Sequence, residues 1–175
     1  YDLVPFHMDI SPISGGSYVI YFSKSKHPQT DAYEGYVKKE NSDGINELHS
    51  WQEFAQLSQE HRQKTLDIMG TLSEKSVLGF GASARSSTYL NFCGLDNRHL
   101  VAIIDNNPMK QGMYSPGSSV PIVSFEDGLT LDPDLVFILA WNFKDEIARD
   151  CRASGYEGKF LVPFPHSPYD LEDVS

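Results

Sequence analysis

The chain of 175 residues has little cysteine, little positive charge and no long apolar run. Its two cysteines, Cys93 and Cys151, lack the paired spacing of a zinc or redox motif, so buried thiols in apolar helical patterns are the reading, not a disulfide or a metal site. Fourteen Lys and Arg against 24 Asp and Glu leave a net charge of -10, the wrong sign for tracking a phosphate backbone, and nucleic acid is excluded as an expected partner. No stretch approaches the roughly 18 consecutive apolar residues of a membrane span. Residues Tyr1 to Ile10 lack the basic start and apolar centre of a signal peptide. A globular protein without membrane contact is expected, cytoplasmic by default. Internal repeats and low-complexity tracts are missing too. So is an initiating methionine, which reads as a fragment of a longer protein beginning at Tyr1, with a processed chain as the other reading.

What is present divides into three segments. Residues 1–27 carry two strand patterns, Leu3 to Ile10 and Tyr18 to Ser23, around the turn-forming Ser11-Pro12-Ile13-Ser14-Gly15-Gly16. A lone hairpin is marginal in water, so this piece needs something to pack on. Residues 28–49 are polar and read as a linker, with a ragged helix as the other reading. Ser50 and Glu53 have capping-box spacing, and Trp51, Phe54, Leu57, His61, Ile68 and Leu72 recur along one face. That predicts a long amphipathic helix from Trp51 to about Leu72, with His61 a core histidine on its buried edge.

From Ser76, strands alternate with helices. The predicted strands are Ser76 to Phe80, Leu100 to Ile104, Val120 to Val123, Leu135 to Ala140 and Lys159 to Phe164; the helices are Ser87 to Cys93, closed by Gly94, a turn near Phe125, and Phe143 to Ala153, capped by Asn142 and closed by Gly155. Continuous apolar strands between helices predict an α/β, Rossmann-like fold over residues 50–175: a mainly parallel sheet with helices on both faces, preceded by the β-hairpin and the long helix.

Three constellations carry chemistry. Gly79-Phe80-Gly81-Ala82-Ser83-Ala84 follows a strand and opens a helix, the GxGxxA form of the phosphate-binding turn, whose glycines allow close backbone approach and whose helix offers free N–H groups to an anion. Asp105 ends the second strand near the roughly 20-residue spacing at which an acid accepts ribose hydroxyls. A tight turn that binds nothing is the bland reading. Arg85 can hold phosphate by paired hydrogen bonds, while Ser86, Ser87 and Thr88 are either ligands or helix caps. Asp105, Asn106, Lys110, Gln111 and Gly112 form a long loop at a strand's carboxyl end, where open α/β sheets place ligands. Trp141 and Asn142 end another strand; Trp141 is a flat binding surface or core, and Asn142 binds or caps.

Gly81-Ala82-Ser83-Ala84-Arg85-Ser86-Ser87-Thr88-Tyr89-Leu90-Asn91, Asp105, Asn107 to Gly112, Pro116-Gly117, Pro121-Ile122 and Leu139 to Ile147 together resemble the C-terminal domain of S-adenosylmethionine-dependent sugar C-methyltransferases, over about Ser50 to Pro165. The resemblance implies an upstream domain that binds S-adenosylmethionine, with the hairpin as its closing strands, and a C-terminal domain that holds a nucleotide-diphosphate sugar. The Gly81 turn would then meet an acceptor's phosphates and not those of NAD. Two positions depart from the family pattern. Ser14-Gly15-Gly16-Ser17 stands where His-Gly-Gly-Ser is usual, and serine cannot replace imidazole as a base. Ala84-Arg85-Ser86 stands where Ala-Lys-Gly is usual, keeping the charge but changing its geometry.

The resulting expectation is the acceptor-binding part of a C-methyltransferase acting on a nucleotide-linked keto-sugar, inactive without its upstream domain. Site residues Gly79, Gly81, Ala82, Ser83, Arg85, Ser86, Thr88, Asp105, Asn106, Lys110, Gln111, Gly112, Trp141 and Asn142 would line it, and whether the chain forms a homo-oligomer is left open. The alternatives are an NAD(P)-dependent oxidoreductase, for which no Tyr/Lys or His/Asp set is evident, and a non-catalytic module with an empty site.

Overall fold

A computed structural model of the chain describes residues 1–12 and 16–164, and the backbone of 172–174. Ser14 and Gly15 of the hairpin turn, and Pro165 at the end of the family resemblance, lie outside the described residues. The chain divides into two compact units, Tyr1–Gln56 and Leu57–Ser175.

The first unit holds an antiparallel hairpin, β1 (Val4–Ser11) and β2 (Ser17–Ser23), and a helix, α1 (Asp31–Ser42). The β-branched and aromatic residues of Tyr18 to Phe22 suit a pleated strand. Yet they stay 42–58% exposed, so this ribbon buries little of its own apolar surface. The register shifts between Pro5 and His7, and at that irregularity the Phe6 carbonyl accepts a hydrogen bond from the Thr30 amide. Thr30 then caps α1, accepting from the Tyr33 amide, and its hydroxyl also meets Nδ1 of His7 at 2.8 Å. A helix therefore stands within residues 28–49, the second of the two readings of that stretch. Its apolar face is short, Tyr33, Tyr36 and Val37; α1 buries no residue fully, and it is supported by its cap, by Tyr36 edge-on to Tyr18 and by Lys39–Asp43 and Lys38–Glu34 pairs.

Helix α2 (Leu48–Thr71) begins before the expected Ser50 cap. The Ser50 hydroxyl donates to the Gly44 carbonyl instead, so the capping-box spacing was coincidental there. Its buried residues are His61, Thr65 and Met69, one turn apart, whereas Trp51 and Phe54 are 59% and 55% exposed. The apolar period thus runs on past the part of the helix that packs. His61 behaves as the expected core histidine: its ring stacks on Phe164 and its Nε2 lies 3.2 Å from the Tyr89 hydroxyl, which also meets Thr65 at 2.8 Å.

The second unit contains a six-stranded sheet in the order β5-β4-β3-β6-β7-β8, formed by β3 (Val77–Phe80), β4 (Ala102–Ile104), β5 (Ile122–Val123), β6 (Leu135–Ile138), β7 (Lys159–Val162) and β8 (Glu172–Val174). The first five are parallel and β8 is antiparallel. Counting from β3, the parallel strands run 3-2-1-4-5, the order of a Rossmann half with its crevice where β3 meets β6. Val77–Phe80 and Leu135–Ile138 are buried at every position, which explains why they read as unbroken apolar runs. On one face, Met69 of α2 and Leu90 and Cys93 of α3 (Ala84–Cys93) pack with Leu100 and Phe137. On the other, α4 (Phe125–Thr130) and α5 (Lys144–Ala153) cover Leu78, Ile104 and Val136 with Leu129, Ile147 and Cys151. The fold is the expected Rossmann-like α/β domain. Both thiols are buried and free, and burial raises the pKa of Cys93 and pushes that of Cys151 up to about 11, which leaves neither poised to react.

Candidate functional site

At the crevice, the glycine turn is as tight as its sequence suggests. Gly81 has φ +97°, its amide donates to the Ile104 carbonyl at 2.7 Å, and a Cβ there would lie 2.5 Å from that of Ala140. A Cβ on Gly79 would meet Leu100 at 2.9 Å and Ile103 at 3.0 Å. Gly79 therefore serves strand packing, and Gly81 lets the turn pass beneath the end of β6.

Helix α3 starts at Ala84, earlier than the expected Ser87. Ser83 is its N-cap, with the Ser83 hydroxyl accepting from the Ser86 amide and the Ser86 hydroxyl reaching back to the Ser83 amide. Ser86 is buried and belongs to this capping box, so the structure gives it the cap's part. Thr88 turns inward on the helix, donating to the Ala84 carbonyl. The first two amides of α3, Ala84 and Arg85, take no partner among the described residues and remain available at the positive end of the helix.

The expected open row of amides is shorter than the sequence implied. The Ala82 amide is already satisfied by Asp105, whose Oδ2 accepts it at 2.9 Å. Lys110 closes the ring, its Nζ lying 2.9 Å from both Asp105 Oδ2 and the Ala82 carbonyl. Asp105 Oδ1 accepts from the Asn107 amide. Asp105, only 12% exposed, thus ties the turn to the loop with both oxygens, a bracing part the sequence did not suggest, and its side chain keeps acceptor capacity on Oδ1. Gln111 donates to the Asp105 carbonyl and the Gly112 amide to Ile122, so these two also hold the loop's own shape. The far end is pinned to α3 by Asn91, which donates to the Pro116 carbonyl; Gly117 has φ +78°, and any side chain there would strike Asn91. The Asn91 and Pro116-Gly117 motifs are accordingly structural partners. Asn106 is exposed.

Trp141 opens a turn of 3₁₀ helix, Trp141–Phe143, with no side-chain cap, so Asn142 is exposed and does not cap α5. The Arg85 guanidinium lies 5.5 Å from the Trp141 ring centroid, and Trp141 packs edge-on against Phe164. The exposed Arg85 and the half-buried Trp141 form a cation–π pair beside the free amides of α3. Asp105 and Asn106 belong elsewhere, to a cavity of ≈ 270 Å³ that Gly81 borders and α5 walls. Trp141 and Asn142 are not among its walls, so the expected single row of residues resolves into two places sharing the Gly81 turn. The run from Trp141 to Glu146 stood out in the sequence at a strand's carboxyl end, but Phe143 and Glu146 were not picked from it as site residues, and Asp150, one turn further along α5, was missed; its signal is the i,i+4 spacing from Glu146.

The chain is 32% identical over 160 residues to the C-methyltransferase NovU of Streptomyces niveus, across 87% of this chain and 38% of that protein, so it spans well under half of that relative's length. Among solved structures it is similar to UDP-D-quinovosamine 4-dehydrogenase from Vibrio fischeri, with a TM-score of 0.42, 18% identity, and coverage of 58% of this chain and 93% of that one. The model of the C-methyltransferase C-terminal domain family matches residues 12–165, nearly the whole chain, and the chain belongs to that family.

Proposed function

We propose that this chain is the acceptor-holding part of an S-adenosylmethionine-dependent C-methyltransferase, and that it binds the diphosphate of a nucleotide-linked keto-sugar. The observation that carries the reading is the grouping at the start of α3: two unpartnered amides on the helix's positive end and the Arg85 guanidinium held over Trp141, at the carboxyl end of the parallel sheet. Amides and guanidinium both donate to phosphate oxygen, and Trp141 restrains Arg85 so that less side-chain freedom is lost on binding.

The methyl donor fits this turn poorly. Bound in the usual Rossmann manner, its ribose would ask for the acid that ends the second strand, and Asp105 already accepts three hydrogen bonds from the protein, two of them on Oδ2, which leaves it fewer sites for a diol. The same observation weighs against NAD(P). We assign the donor to a part of the protein outside this chain. What these residues do is fix the acceptor by its diphosphate, so that the keto-sugar is presented in one orientation to groups that remove the proton beside the ketone.

Calorimetry of the chain with diphosphates of the common nucleosides tests the reading. At least one should bind at or below millimolar concentration, and Arg85→Ala should weaken it about tenfold, the scale of a charge-assisted hydrogen bond. The exposed position of Arg85 predicts an unchanged melting temperature. A chain that binds no diphosphate, or an R85A variant that binds equally well, sinks the proposal.

A further inference from the structure

The cavity against α5 has the wrong chemistry for phosphate. Phe80, Ala140 and Phe143 give its lining apolar surface, and Asp105, Glu146 and Asp150 place three carboxylates on it. Lys110 offsets Asp105 from the loop side, and Arg149 stands 3.9 Å from Asp150, but neither cation is among the lining residues. Carboxylates accept hydrogen bonds and donate none, so the group that suits them is rich in donors and carries no negative charge. Phe143, 57% exposed, offers the apolar surface on which the C–H face of a sugar ring can lie.

Position argues in the same direction. The cavity is bordered by Gly81, so it adjoins the turn that leads into the free amides of α3, and it opens at the crevice where open α/β sheets hold ligands. Its volume of ≈ 270 Å³ is too small for a whole nucleotide sugar and adequate for one ring. We infer that this cavity is a sugar-ring subsite, in which Glu146 and Asp150 accept hydrogen bonds from ring hydroxyls while Phe143 covers one face. The inference rests on the proposed diphosphate site and names which part of the acceptor goes where. It also makes α5, and not Trp141 with Asn142, the wall that selects the sugar.

The test compares two probes on the 175-residue chain. The first is the nucleoside diphosphate that binds best, and the second is its glucose conjugate, each titrated into the parent and into the E146Q/D150N double variant. The conjugate should bind the parent about five- to tenfold more tightly than the diphosphate, and the double variant should lose that increment while its affinity for the diphosphate stays equal or rises. In the parent, NMR amide shifts at residues 143–150 should move with the conjugate and stay still with the diphosphate, a reading that needs no variant to fold. An increment that survives E146Q/D150N, or α5 amides that respond to the two probes alike, overturns the subsite and leaves the diphosphate reading standing. Binding of neither probe overturns both.

Discussion

Gly81 shows at the scale of one residue how a sequence motif and its geometry relate. The GxGxxA spacing marked a tight turn, and the positive φ with a virtual Cβ against Ala140 supplies the reason. Gly81→Ala would combine backbone strain with overlap at a packed strand end, and should cost about 2–4 kcal/mol in a denaturant melt. A G81A loss under 1 kcal/mol would show that the turn relaxes. Asp105 teaches the opposite lesson. Its type and spacing were legible, but its partners were not, because the bonds to Ala82 and Lys110 depend on where a folded loop returns. An acid at the end of a second strand looks the same in sequence whether it is a ligand or a brace.

At the scale of the element, the buried strands were legible because burial on both faces leaves only apolar residues, as in Val77–Phe80. Helix α1 was legible only as one of two readings, because it buries no residue fully and the contacts that fix its start, from Phe6 and His7 to Thr30, come from residues distant in the chain. Helix α2 was legible in type and in part of its packing, since His61, Ile68 and Leu72 of the predicted face pack on the core together with Thr65 and Met69, whereas Trp51 and Phe54 continue the pattern but stay exposed. The connection from α3 to β4 carries a pH-dependent element. Side-chain hydrogen bonds from Arg98, followed by the Arg98 amide, hold the Asp96 carboxyl well below the usual carboxylate range. A depressed pKa contributes stability above the unfolded value near 3.9 and loses it as pH falls through the folded value. Asp96→Asn should therefore destabilise the chain by at most about 1 kcal/mol at pH 7, with the gap closing progressively below about pH 4. Melting temperatures measured from pH 7 to pH 3 check this; a gap that widens in acid would contradict it.

For the whole molecule, the division into Tyr1–Gln56 and Leu57–Ser175 is also a division in how apolar surface is used. The second unit encloses two clusters of buried side chains on either face of its sheet, while the hairpin leaves Tyr18, Val19, Ile20, Tyr21 and Phe22 substantially exposed. Local opening should be correspondingly uneven. Hydrogen exchange should show the amides of β3, β4 and β6 protected at least about a hundredfold more than those of β1 and β2. Equal protection in both would mean that the hairpin is stabilised by contacts its exposure does not suggest.

The two sheets also differ at their margins. In the second unit one border is the two-residue β5, with Tyr114 bridged to Pro121 close by, and the other is closed by the short, reversed β8. Such blunt borders give a foreign strand nowhere to add. The ribbon of β1 and β2 is longer, and on its flank the Phe6 carbonyl is taken by Thr30. If this polypeptide ever coagulates in storage or overexpression, the growing contact should start from that ribbon, and a lysine at Val19 or Tyr21 would act as its gatekeeper.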